Sequence, residues 1–199
     1  MKTRILTVAF ALGISLGALA QGSLTLNGEF DSGGLNWSTS GGGAYFYADG
    51  PNTIASIGWW DGCSIWQNTT ATIQAGDSYD LTVVGRVGQA PLTALNLSFQ
   101  DVTTGWTWVA NQTFNFSAAD QGNAGPWETF TLNIDTSALS GRVGDTIGVG
   151  VQMSESPNTQ YGWMHLDSIQ LTVVPEPSTL ALLSMGALGA FIARGRSRK

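Results

Sequence analysis

The side chains able to do chemistry in this chain are few and unevenly spread. There is one histidine, His165, and one cysteine, Cys63. A single histidine gives no identifiable Ser-His-Asp arrangement. One His and one Cys cannot supply the closed nitrogen and sulfur ligation of a zinc site. The Ser-Gly-Gly-Gly-Ala stretch at 40–44 has neither the lysine nor the following helix of a phosphate-binding loop. Thirteen acidic residues between positions 21 and 174 allow many carboxylate pairs, but no spacing singles out one that would flank a glycosidic bond. His165 reads as an ordinary strand residue, and the expectation is a protein that does not catalyse.

Tryptophan is the other resource, with eight residues, all in the middle of the chain. An indole face is apolar and flat, so it can cover the C–H face of a sugar ring, but it also fills cores. Alternation separates the two roles. If Ile65 and Gln67 point inward, Trp66 points outward with Asn68 and Thr70. Trp106 and Trp108 share one strand face, and Trp59 and Trp60 are adjacent, so that one of them faces solvent. Trp59, Trp60, Trp66, Trp106 and Trp108 are therefore the candidates for stacking on a glycan. Trp37, Trp127 and Trp163 are expected in the core, as is Cys63, which without a partner cysteine forms no disulfide within the chain.

The elements that must carry these side chains are strands. Leu95, Leu97 and Phe99 alternate with Asn96, Ser98 and Gln100; Phe130, Leu132 and Ile134 alternate with polar residues; so do Ile147, Val149, Val151 and Met153. Tyr79, Leu81 and Val83 form another inward set, and Ile169, Leu171 and Val173 a last one. Glycine, proline, asparagine and aspartate bound each run. Eight or nine strands between Ser23 and Val174, without helical periodicity, predict an all-β protein: a two-sheet antiparallel β-sandwich of one domain.

Charge narrows the partners. Residues 21–174 carry thirteen acidic side chains against two basic ones, Arg86 and Arg142, a balance of −11. A body this acidic repels phosphate backbones and anionic lipid surfaces, so nucleic acid is not an expected partner.

Two stretches of the body carry a resemblance. One is Asn27, Gly28, Phe30, Asp31 and Trp37, followed by Gln67, Ile73, Gly76, Tyr79 and Leu81; the other is Asp167 and Ile169 near the end. Their order and spacing resemble the galactose-binding-domain-like jelly rolls, a group that includes many carbohydrate-binding modules. The resemblance implies a jelly-roll body and a structural calcium held in part by Asp31 and Asp167. The family usually has Glu where Asp31 stands. The alternative for Asp31 is a cap on the turn at Ser32, Gly33 and Gly34.

The two ends read as addresses. Residues 1–20 combine Lys2 and Arg4, an apolar stretch and a closing Ala18-Leu19-Ala20, the pattern of a secretory signal peptide. The body is then 21–173. Residues 174–199 begin with Val174, Pro175, Glu176 and Pro177. An uncharged apolar segment follows, from Leu180 to Ala193, and then Arg194, Arg196, Arg198 and Lys199. Fourteen helical residues span about 21 Å, short of a hydrocarbon core of about 30 Å. The basic end predicts a cytoplasmic terminus, with the body outside. This layout resembles the PEP-CTERM sorting signal of exopolysaccharide-producing bacteria. It implies processing by an exosortase-type enzyme after a transient inner-membrane stage, then delivery to the cell surface or extracellular matrix. The alternative is a permanent single-span anchor.

Together these readings predict an exported, non-catalytic surface or matrix protein that binds glycan, with exopolysaccharide as the expected partner. A purely structural or adhesive protein is the first alternative, and a small glycan-active enzyme the second.

Overall fold

The computed structural model describes residues 22–41, 44–58, 62–89, 92–116, 125–135, 137–155 and 162–174. The signal-peptide and tail expectations, apart from Val174, lie outside these residues, as do Trp59 and Trp60. Ten strands run through the described chain: β1 (Ser38–Ser40), β2 (Ala44–Asp49), β3 (Asn52–Gly58), β4 (Ser64–Thr72) and β5 (Ser78–Gln89), then β6 (Leu92–Asp101), β7 (Thr107–Asn115), β8 (Glu128–Ile134), β9 (Thr146–Glu155) and β10 (Trp163–Val174). They form two five-stranded antiparallel sheets. The first has the order β1-β4-β9-β6-β7, the second β2-β3-β10-β5-β8. No helix among the described residues is long and apolar enough to cross a membrane.

The alternation seen in the sequence is the alternation of the core. Leu95, Leu97 and Phe99 of β6, Ile147, Val149, Val151 and Met153 of β9, and Leu81 and Val83 of β5 are all fully buried. Each such side chain contributes about 1.5–3 kcal/mol by leaving water. Tyr79 of β5 meets Phe99 of β6 across the sandwich, their ring centroids 5.5 Å apart. Its hydroxyl, held in the core, accepts the Gln74 amide at 3.2 Å.

β10 departs from strict alternation. The pairing with β5 shifts register between Leu166 and Ser168. Met164 and Leu166 are buried before the shift, Ile169 and Leu171 after it. A bulge inserts one residue and re-aims a side chain; here the extra residue is Asp167.

The N-terminal segment before β1 closes the sandwich through hydrogen bonds. Gln67, only 1% exposed, accepts the Leu26 amide at 2.7 Å and donates to the Leu26 carbonyl at 2.7 Å. Asn27 accepts the Ser32 amide and donates to the carbonyls of Gly33 and Leu35, so Asn27 rather than Asp31 organises that turn. Trp37 donates its indole N–H to the Asn27 carbonyl. A Cβ at Gly28 would run into the Ile169 carbonyl, which explains why a glycine stands there. Asn27, Gly28, Trp37 and Gln67, which help to carry the jelly-roll resemblance, therefore serve the fold. Leu24 also pairs with Leu171 of β10, and Val174, the last residue of β10, pairs with Ser78. The two ends of the described body lie at the same pole.

Candidate binding groove

The outer face of the first sheet carries a groove of about 360 Å³. Its floor comes from β9. Because Val149 and Val151 point into the core, Gly148, Gly150 and Gln152 point outward. A Cβ on Gly150 would lie 2.7 Å from the Ser98 hydroxyl and 3.3 Å from the Gln100 side-chain nitrogen. Glycine there keeps the floor low. β6 supplies Ser98 and Gln100, and β4 supplies Ser64 and Trp66.

Trp66 points outward, as the inward placement of Ile65 and Gln67 requires. Trp106 and Trp108 line the same groove. Trp108 stands on β7 and is 52% exposed. Trp106 reaches the groove differently from the expectation. It lies in the turn before β7 with φ of 64°, after Gly105 at φ 93°. Its ring meets that of Trp66 edge to face, centroids 6.2 Å apart and planes at 90°. A non-glycine residue in the left-handed region is strained and persists only where its surroundings hold it.

Those surroundings can be named. Asp101, fully buried, accepts the Thr104 amide at 3.2 Å and the Thr104 hydroxyl. Arg142 bonds the same carboxylate at 2.9 Å. Burial alone would raise the Asp101 pKa, but the Thr104 and Thr103 donors outweigh it and hold it below the usual carboxylate value. Asp145 beside it is pushed up, by burial and by the Asp101 charge. The bonds from Thr104 to Asp101 thus hold the turn that presents Trp106, and Arg142 anchors the carboxylate.

Among the described residues, none of the groove's lining side chains is ionisable. The polar groups are neutral and already oriented: Gln100 donates to Ser98 at 2.9 Å, and Ser98 to the Gly150 carbonyl at 3.3 Å. The arrangement offers aromatic faces with amide and hydroxyl donors and acceptors between them.

The second expected site is a hollow of about 240 Å³ lined by Glu29, Asp31, Asn52, Asp167 and Ser168. The β10 bulge brings Asp167 to it, beside Asp31. Asn52 donates to Asp167 at 3.4 Å and Gln170 to Glu29 at 3.2 Å. Among the described residues no three acidic, His or Cys side chains converge closely enough to hold one ion. A calcium ion there would need backbone oxygens as well.

The remaining aromatic expectations divide. Trp37 is buried, but Trp127 is 39% exposed and Trp163 only half-buried, on the outer face of the second sheet. Continued back from Phe130, Leu132 and Ile134, the alternation of β8 puts position 127 on the outer side with Thr129 and Thr131, which is where Trp127 lies. Cys63 is buried as expected, with its thiol against the Gly58 and Gly41 carbonyls.

Residues 173–199 match the PEP-CTERM protein-sorting motif. The tail is a sorting signal. It implies export and processing by an exosortase, with a surface or extracellular destination. No curated protein matches the chain in sequence. In fold, the body is similar to CBM4, a carbohydrate-binding module, at 14% identity and a TM-score of 0.50, covering 73% of this chain and 99% of that one. It is similar to TmCBM61, solved in complex with beta-1,4-galactotriose, at 13% identity and a TM-score of 0.50, covering 75% and 97%. It is also similar to the apo form of a cyclase from Fischerella sp., at 14% identity and a TM-score of 0.59, covering 79% and 98%. These likenesses place the sorted body among β-sandwiches that include both binding modules and enzymes.

Proposed function

We propose that this PEP-CTERM-sorted protein is a non-catalytic glycan-binding domain of the bacterial cell surface or extracellular matrix. The observation that carries the reading is the groove in which Trp66, Trp106 and Trp108 surround neutral hydrogen-bonding groups, with no ionisable side chain among the described lining residues. Indole faces cover the apolar faces of sugar rings, while Gln100, Gln152, Ser64 and Ser98 meet hydroxyls. An uncharged groove in a body of net charge −11 favours a neutral polysaccharide over an acidic one. Similarity to carbohydrate-binding modules in fold supports the reading without naming a ligand. The hollow at Asp31 and Asp167 serves, in the same proposal, as a calcium site that ties the N-terminal segment to β10.

Affinity electrophoresis of the full chain through gels containing neutral polysaccharides tests the function. Retardation is expected on at least one glycan. Trp66→Ala with Trp108→Ala should weaken it about tenfold, the scale of a lost aromatic anchor. Unchanged retardation of that variant, or none for the parent on any glycan, would sink the groove as a binding site.

A further inference from the structure

The outer face of the second sheet carries a second set of aromatic and hydrogen-bonding side chains, remote from the groove. Tyr45 and Tyr47 project from β2, 51% and 42% exposed. Two residues apart on one strand, they stand about 7 Å from each other. Tyr45 meets the Trp163 ring of β10 at 6.0 Å. The Tyr47 hydroxyl bonds His165 Nδ1 at 2.9 Å, with the two rings edge to face. On β5, Arg86 pairs with Asp49 at 3.0 Å and lies over the exposed ring of Trp127 at 4.5 Å. The register puts His165 opposite both Ser56 of β3 and Arg86 of β5. The row therefore crosses the sheet from β2 to β8.

We infer that this face is a second binding site for a neutral polysaccharide, so that one domain can bridge two glycan chains. The chemistry fits a polyol. Exposed rings alternate with fixed donors and acceptors. The Arg86–Asp49 pair offers a donor beside an acceptor, as adjacent hydroxyls require.

Charge selects against other occupants. The cation of this face is already matched by Asp49, and the body around it is strongly acidic. A uronate polymer, an anionic lipid surface or a second copy of this chain would each bring like charge to it. A neutral chain brings none. The two faces look outward from opposite sheets, so ligands on them do not collide.

The test uses the full chain in four forms: parent, Trp66→Ala with Trp108→Ala, Tyr47→Ala with Trp127→Ala, and all four substitutions. The second pair replaces exposed side chains, and a thermal melt of each form checks that the fold persists. Two readouts are taken: retardation in neutral-glycan gels, and light scattering of a soluble neutral polysaccharide titrated with protein. Each double variant should keep partial retardation but lose the scattering that reports bridging, and the quadruple variant should lose both. Complete loss of retardation in the groove variant overturns the second site and leaves the first standing. Parent-like bridging in the Tyr47/Trp127 variant also overturns it. Retardation on uronate polymers alone, abolished by Arg86→Gln, overturns the neutral ligand. A parent dimer that Tyr47→Ala with Trp127→Ala converts to monomer reassigns the face to self-association. Binding by no form overturns both sites.

Discussion

At the scale of single residues, His165 makes a prediction about pH. Burial lowers its pKa, Arg86 lowers it further, and Asp49 offsets part of the effect. A folded-state pKa below the unfolded value means that the neutral ring is the favoured form. The stability it contributes is full above the unfolded value and is lost as pH falls through the folded one. The melting midpoint of the parent should therefore fall faster than that of His165→Asn as pH drops from about 8 to about 5. Parallel curves would show that the ring's protonation is not coupled to folding. The proposed calcium site at Asp31 and Asp167 makes a separate prediction. Calcium should raise the midpoint and EDTA lower it, and Asp167→Asn should abolish the difference. A midpoint indifferent to both would remove calcium from the account.

At the scale of elements, β9 does two jobs with one alternation. Its odd positions, Ile147 to Met153, fill the core, and its even positions form the groove floor. Gly150→Ala should therefore separate binding from stability. The new methyl group displaces the Ser98 hydroxyl oxygen, which can turn about χ1 at the expense of its bonds to Gln100 and the Gly150 carbonyl, while replacing a strand glycine recovers about 0.5–1 kcal/mol of backbone entropy. Chemical denaturation should shift by less than about 1 kcal/mol, while glycan retardation weakens. Equal loss of both would assign the glycine to packing. The same alternation is why so much of the fold was legible. Half-buried strands print a period of two, so β5, β6, β8 and β9 could be read directly. The order of strands could not, since β9 reaches its place between β4 and β6 through contacts far apart in the chain. The β10 bulge hid Asp167's direction, and the positive φ of Trp106 belongs to a turn that Asp101 holds through Thr104, with Arg142 bonded to the same carboxylate from 41 residues away, which no local pattern announces. The second aromatic face went unread because its members come from separate strands and none looks unusual in its own segment.

At the scale of the whole molecule, the sorting motif begins where the sheet ends. Replacing Pro175, Glu176 and Pro177 with Ala should leave the protein unprocessed in its host. Membrane fractionation and intact mass would check this: the variant should keep its tail and sediment with membranes, while the parent does not. Processing of the variant at the parent's rate would mean that recognition lies elsewhere in the tail.

The position of Val174 has a mechanical meaning. It ends a strand flanked on both sides, by β3 and β5, and paired with β5 at eleven positions. Any load delivered through an attachment at the motif enters along the axis of β10. An edge strand pulled sideways would unzip one hydrogen bond at a time, whereas β10 pulled lengthwise must shear many together. Force spectroscopy through Val174 should thus meet a higher rupture force than pulling through the edge strand β2. Equal forces would show that the point of attachment confers no strength. If the proposed glycan sites and an attachment at the motif both hold, the domain carries its ligands on its flanks and its load on a central strand, an arrangement suited to tension.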